Sequence, residues 1–152
     1  MIDERLAALK VELPPFAEGL GDYAPWTRVG SLVSTSGQFP WLNGELAYVG
    51  RIGETISRAE GYAAARLCAL NAIAQLRNAC GGDLGRVRSV VRVEGQLFCT
   101  PGHVEPAGVL DGASHLINDV FRERGRHSRA VTGVASMPLG SSVLLYVHAE
   151  IA

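Results

Sequence analysis

Arg129 to Ile151 reads RAVTGVASMPLGSSVLLYVHAEI. This stretch predicts two strands, 129–135 and 142–151, joined by a turn at Pro138 and Gly140. In the second strand Val143, Leu145, Val147, Ala149 and Ile151 share one face, while Leu144 and Tyr146 make the opposite face apolar as well. A strand apolar on both sides needs cover on both sides. Only two long helices are available, and two such helices normally pack together on one face. The other face is therefore expected to meet a neighbouring subunit.

Working back along the chain, Gly108 to Glu123 predicts the helix nearer the C-terminus, with Leu110, Ala113, Leu116, Ile117, Val120 and Phe121 on its apolar side. The loop before it is punctuated by Pro101 and Pro106. Val87 to Cys99 alternates as a long half-buried strand, with Val91, Val93 and Leu97 on one face and Arg92, Glu94 and Gln96 on the other. The other long helix is expected from Ser57 to Cys80. Ser57 and Glu60 form a capping-box pattern at its start, and Gly81-Gly82 stops it. An Ala-rich stripe, with Ala63, Leu67, Leu70, Ile73, Ala74 and Leu76, suits close packing on a sheet.

Nearer the N-terminus, segments 26–30 and 31–36 predict short strands, and Asn43-Gly44 predicts a tight turn into a returning strand from Glu45 to Val49. Residues 2–10 have an amphipathic helical pattern, and Pro14, Pro15, Gly19 and Gly21 then break regular structure. Residues 1–22 thus form an arm leading into a single domain spanning 1–152, an α+β unit. At 152 residues, folding buries roughly 68–70% of the surface of the unfolded chain, enough for one core.

Fourteen basic and fifteen acidic residues give a net charge of −1, so no overall field recruits nucleic acid or a membrane surface. No stretch reaches the eighteen apolar residues of a membrane span, and the N-terminus lacks a signal-peptide pattern. Cys68 and Cys80 lie about 18 Å apart along one helix, too far to bridge. With Cys99 they make an odd set, read as reduced thiols in a cytoplasmic protein.

The histidines at 103, 115, 127 and 148 lack metal-ligand spacing, and the glycine-rich stretches match no phosphate loop or dinucleotide fingerprint. No metal or cofactor is expected. Residues 122–129, RERGRHSR, concentrate basic side chains. For Arg122, Arg124 and Arg126 a solvated helix end is the simpler reading. Arg129 differs because it opens an apolar strand, where its guanidinium must find an acceptor or face a cleft. Its planar fork suits a carboxylate, with a structural salt bridge as the alternative. Tyr23 and the strand end Thr35-Ser36-Gly37-Gln38 supply hydroxyls, an amide and an approachable backbone.

Tyr23, Ser36-Gly37-Gln38-Phe39-Pro40 and the run from Arg129 to Gly140, taken together, resemble the RidA/YjgF family. The first motif is similar to that family's Ser-Gly-Gln-x-Pro. The second is similar to its Arg-x-x-Val-x-Val-x-x-Leu-Pro, with Met137 in place of leucine. The resemblance spans nearly the whole chain. It implies a chorismate-mutase-like fold, with a mixed six-stranded sheet carrying two long helices on one face. It also implies a homotrimer with a cleft at each interface, and cofactor-free hydrolysis of imines or enamines.

By the same resemblance Arg129 would hold the carboxylate of an imine, keto acid or related ligand. Tyr23, Ser36, Gly37, Gln38 and Ser114 would line the substrate site. The family's deaminases carry glutamate six residues after the motif proline, where this chain has Leu144, and many carry cysteine where it has Val131. Leucine cannot accept a proton from water. His127, Ser114 and Cys99 remain as other candidates for that chemistry. Two further functions stand beside deamination: non-catalytic binding of a small carboxylate, and RNA cleavage or inhibition of translation.

Overall fold

The computed structural model describes residues 1–102 and 105–152, so His103 lies outside the described residues. Among the described residues, seven strands and three α-helices follow in chain order. They are α1 (Ile2–Ala8), β1 (Trp26–Val29), β2 (Leu32–Thr35), β3 (Trp41–Leu42), β4 (Glu45–Leu46), α2 (Arg58–Ala79), β5 (Val87–Phe98), α3 (Pro106–Phe121), β6 (Ser128–Val134) and β7 (Val143–Ile151). The main sheet has the order β1-β2-β7-β5-β6. Within this sheet β5 and β6 are the parallel pair among the described strands, and α3 supplies the crossover that such a pair requires.

The sheet has five strands rather than the expected six. The return from the Asn43-Gly44 turn pairs with Trp41–Leu42 in a separate two-stranded hairpin. Extension past Leu46 stops because Tyr48 takes a positive φ of 55°, which breaks the pleat. Val49 then bridges to Ser141 instead of continuing the strand.

Helix α2 begins where the sequence places it. Ser57 accepts from the Glu60 amide, and Glu60 accepts in return from the Ser57 amide, both at 3.1 Å. Those bonds hold the Glu60 carboxyl below its usual range. A lowered carboxylate stabilises above its unfolded pKa, and this contribution is lost as pH falls through the folded value. The buried face of α2 is Ala64, Ala65, Cys68, Ala69, Ala72, Ile73 and Leu76, so the expected stripe through Ala63, Leu67 and Leu70 is displaced round the helix. Alanine and leucine are spread so evenly round α2 that its period hardly fixes a face.

Both long helices cover the same face of the sheet, over Val33, Val93, Leu97, Leu145 and Val147. They approach closely because a Cβ at Gly112 would strike the backbone carbonyl of Tyr62. On the sheet, Gly95 leaves room for Leu110, whose Cδ1 would lie 2.5 Å from a Cβ there. Strand β5 corrects one expected inward residue. Register shifts at Val87/Ser89 and Val90/Arg92 put Val90 into the core and leave Val91 exposed.

The N-terminal arm is partly core. Ile2 and Leu6 of α1 are buried, and Arg5 donates to the Val120 carbonyl at the end of α3 at 2.6 Å. Burial pushes the Cys68 thiol well up and the Cys80 thiol up, as suits protonated core cysteines. No helix among the described residues is long and apolar enough to cross a membrane.

Candidate functional site

Arg129 opens β6 opposite Val93, whose side chain is in the core, so the arginine projects on the helix side of the sheet edge. There it meets α3. Its Nη1 donates to Asp111 Oδ1 at 2.7 Å and to Ser114 Oγ at 3.1 Å, and its Nη2 reaches the Ala107 carbonyl at 3.4 Å. Asp111 and Ser114 are three residues apart and therefore share one face of the helix. Sequence reasoning placed Arg129 and Ser114 in the site but missed Asp111. Its signal was an acidic residue one turn before Ser114 on the predicted helix.

Ser114 also pairs with His127, Oγ to Nε2 at 2.8 Å, while His127 Nδ1 lies 2.6 Å from the Gly125 carbonyl. A carbonyl can only accept, so Nδ1 carries a proton, and in the neutral ring Nε2 accepts from the serine. The result is a connected line from Asp111 through Arg129 and Ser114 to His127. The Arg129 side chain keeps 23% of its surface exposed.

Tyr23, Ser36, Gly37 and Gln38 come together elsewhere, around a pocket of about 40 Å³. Thr35, Val147, Val93 and Arg129 form one row across the sheet. Three inter-strand steps separate the ends of that row, or about 14 Å. Within one chain, then, Arg129 and Ser114 occupy one edge of the domain and Tyr23, Ser36, Gly37 and Gln38 the other.

Two α2 residues that sequence reasoning did not single out hold the second pocket. Asn71 Nδ2 lies 3.1 Å from the carbonyls of Phe39, Trp41 and Leu67, and Gln75 Nε2 donates to the Ala17 carbonyl at 2.9 Å. They are one turn apart and buried on the same helix as the Ala-rich core face. Asn71→Leu is expected to destabilise the fold by about 1–3 kcal/mol, because it removes the side-chain donor that ties the Phe39 and Trp41 carbonyls to α2. Urea unfolding would measure it, and an unchanged midpoint would refute it.

Ser36 Oγ is spent on the Ala24 carbonyl at 2.6 Å, and the Gln38 and Leu145 backbones exchange hydrogen bonds. Leu144 is only 6% exposed. A Cβ at Gly37 would lie 2.7 Å from Leu144 Cδ1, so the leucine is covered from within its own chain. Cys99 sits beside Gly133, four residues along β6 from Arg129, which is about 13 Å.

In the arginine cluster Arg122, Arg124 and Arg126 are all exposed, and Arg124 also donates to the Gly85 and Val87 carbonyls at 3.2 Å. A larger cavity of about 400 Å³ lies between α1 and the end of α3, bordered by Arg5, Phe121 and Arg124. Both arginines there are tied to backbone carbonyls, and Arg124 is the one residue of the basic cluster that borders it among the described residues. No cluster of three metal-ligating side chains occurs among the described residues.

A model of the family described as "YjgF/chorismate mutase-like, putative endoribonuclease" matches residues 3–151. Protein TCP17 of Trypanosoma cruzi is 37% identical over 139 residues, covering 91% of this chain and 86% of that one. The crystal structure of a "putative endoribonuclease" from Shewanella oneidensis MR-1 superposes with a TM-score of 0.95 at 47% identity, covering 99% of both chains. That of Atu1372 from Agrobacterium tumefaciens, a protein of unknown function, does so with a TM-score of 0.93 at 39% identity, covering 99% of this chain and 93% of that one. These matches agree with the expected α+β fold.

Proposed function

The chain belongs to the YjgF/chorismate mutase-like family, and from that premise we propose that it binds a small carboxylate-bearing metabolite, with Arg129 as the clamp, at clefts between copies of a cytoplasmic homotrimer. The observation that carries this reading is how Arg129 is held. Asp111 and Ser114 engage the guanidinium through Nη1, and among the described residues Nη2 makes one long hydrogen bond, to the Ala107 carbonyl. The edge formed by Nε and Nη2 is therefore oriented and available for a bidentate carboxylate.

The separation of the two half-sites supports assembly. A ligand of a few carbon atoms cannot span about 14 Å across a packed sheet. If the Tyr23 edge of one copy docks against the Arg129 edge of the next, one cleft receives both sets of residues. Repeating such a head-to-tail contact closes a ring when the rotation allows. The reading requires no cofactor and treats residues 1–152 as one domain.

Leu144 favours binding over imine hydrolysis. It supplies no proton acceptor and is packed against Gly37, so water activation would fall to His127 through Ser114. RNA cleavage draws less support, since Arg124 is committed to backbone carbonyls and the net charge is −1.

Calorimetry with 2-oxobutyrate and benzoate tests the binding reading, with saturable heats expected. Ammonia release from freshly generated 2-aminoacrylate should match buffer alone. Absence of heat with every small acid would overturn the clamp, and accelerated release would overturn the assignment as a binder.

A further inference from the structure

We propose that His127 is a positioning residue of the clamp, and that its protonation, relayed through Ser114, tunes the grip of Arg129 on a carboxylate. The proposal rests on the reading of Arg129 as the carboxylate-binding group. His127 is half-buried, with Nδ1 at 2.6 Å from the Gly125 carbonyl and Nε2 at 2.8 Å from Ser114 Oγ. Ser114 is 8% exposed, and its Oγ also accepts from Arg129 Nη1 at 3.1 Å. The imidazole Nε2 thus lies no farther from Nη1 than these two bonds laid end to end, about 6 Å.

A serine has one proton to give. While the ring is neutral, that proton goes to Nε2 and the oxygen's lone pairs face Arg129. When the ring is protonated, Nε2 becomes a donor, and Ser114 Oγ accepts from both His127 and Arg129. Its own proton then turns to the Leu110 carbonyl four residues back, an acceptor that a serine within a helix commonly uses. Both states keep the hydrogen bonds that hold Arg129. What changes is one positive charge.

The neighbouring charges decide the sign of the effect. Asp111 on α3 is paired with Arg129 at 2.7 Å, so the two cancel. Asp119 lies five residues beyond Ser114 and faces away round the helix. Arg122, Glu123 and Arg126 are exposed, and Arg124 is tied to the Gly85 and Val87 carbonyls. Arg92 of β5 stands level with Ser128, hence on the opposite face of the sheet from Arg129, and pairs there with Glu94. A carboxylate added to the Arg129–Asp111 pair makes the group net negative, and a protonated His127 restores neutrality. The carboxylate therefore binds more tightly as pH falls through the histidine range, and its binding in turn favours the protonated ring. Across roughly 8 Å in a half-exposed setting, one charge changes affinity about fivefold.

The first measurement needs no ligand. In the full chain, the Arg129 Cζ resonance and the His127 ring protons are followed by NMR between pH 8 and pH 5.5, a span that brackets the ordinary histidine range of about 6.5. Both should inflect at one midpoint. The Arg129 inflection should vanish in His127→Gln, whose amide keeps an acceptor for Ser114, and persist in His115→Gln and His103→Gln. Calorimetry with 2-oxobutyrate should then show about fivefold tighter binding at the lower pH in the wild type, and equal affinities in His127→Gln. An Arg129 signal that ignores the His127 midpoint, or still inflects in His127→Gln, would sink the relay, as would equal wild-type affinities at the two pH values. Absence of heat at both pH values, with Arg129 still following His127, would instead count against the clamp and leave the relay standing.

Discussion

Gly112→Ala is expected to destabilise the protein by about 3 kcal/mol or more, because the new methyl would enter the backbone carbonyl of Tyr62. A backbone atom cannot swing aside as a side chain can, so α2 and α3 would have to part. Parting them would also loosen Gly61 against Val109 and Leu110 against Gly95. For a chain of this size, each kcal/mol lowers Tm by roughly 2–4 °C, so a fall of about 10 °C is expected. Gly108→Ala is the control on the same helix. There the nearest atoms the methyl would meet among the described residues belong to the guanidinium end of Arg58, whose side chain is 59% exposed and can move. That change should cost less than about 1 kcal/mol, offset by the better helix propensity of alanine. Similar Tm values for the two variants would refute the close-crossing account.

Arg129→Ala should lower affinity for a small carboxylate about a hundredfold while leaving the fold intact. The two effects separate on magnitude. A charge-assisted bidentate contact, partly removed from water, is worth several kcal/mol. By contrast, the Arg129–Asp111 pair is half-exposed, with 23% and 40% of its side chains accessible, and such pairs contribute roughly 0–1 kcal/mol. Arg129→Lys should recover only part of the loss, because an ammonium cannot present two parallel donors. If calorimetry gave equal affinities for all three proteins, Arg129 would be a structural salt bridge only.

Much of the architecture was legible because it rests on local chemistry. The Ser57 and Glu60 cap, the Gly81-Gly82 stop and the alternation of β7 are short-range signals, and each appears in the structure. What sequence could not deliver depends on long-range pairing. The bulges that exchange Val91 for Val90 are set by the register of β5 against β7. The sixth strand fails because of the positive φ at Tyr48, which nothing in the neighbouring residues announces. Arg129, Tyr23, Ser36, Gly37 and Gln38 are candidates picked out by their motifs, and their division between two edges follows from strand order. Asn71 and Gln75 escaped notice because nothing local separates them from the other polar side chains of α2, such as Arg66 and Arg77. Their meaning comes from the Phe39, Trp41 and Ala17 carbonyls, more than 25 residues away in the chain.

The central claim is that one binding cleft takes Arg129 from one copy and the Tyr23 pocket from the next. Mixing Arg129→Ala and Tyr23→Ala chains tests it directly, since each variant alone should bind carboxylate poorly. In randomly assembled mixed rings roughly a quarter of the clefts would pair an intact Arg129 edge with an intact Tyr23 edge. Calorimetry of the coexpressed mixture with 2-oxobutyrate should recover about that fraction of the wild-type stoichiometry, at wild-type affinity. A mixture that binds no better than its two components would contradict the shared cleft.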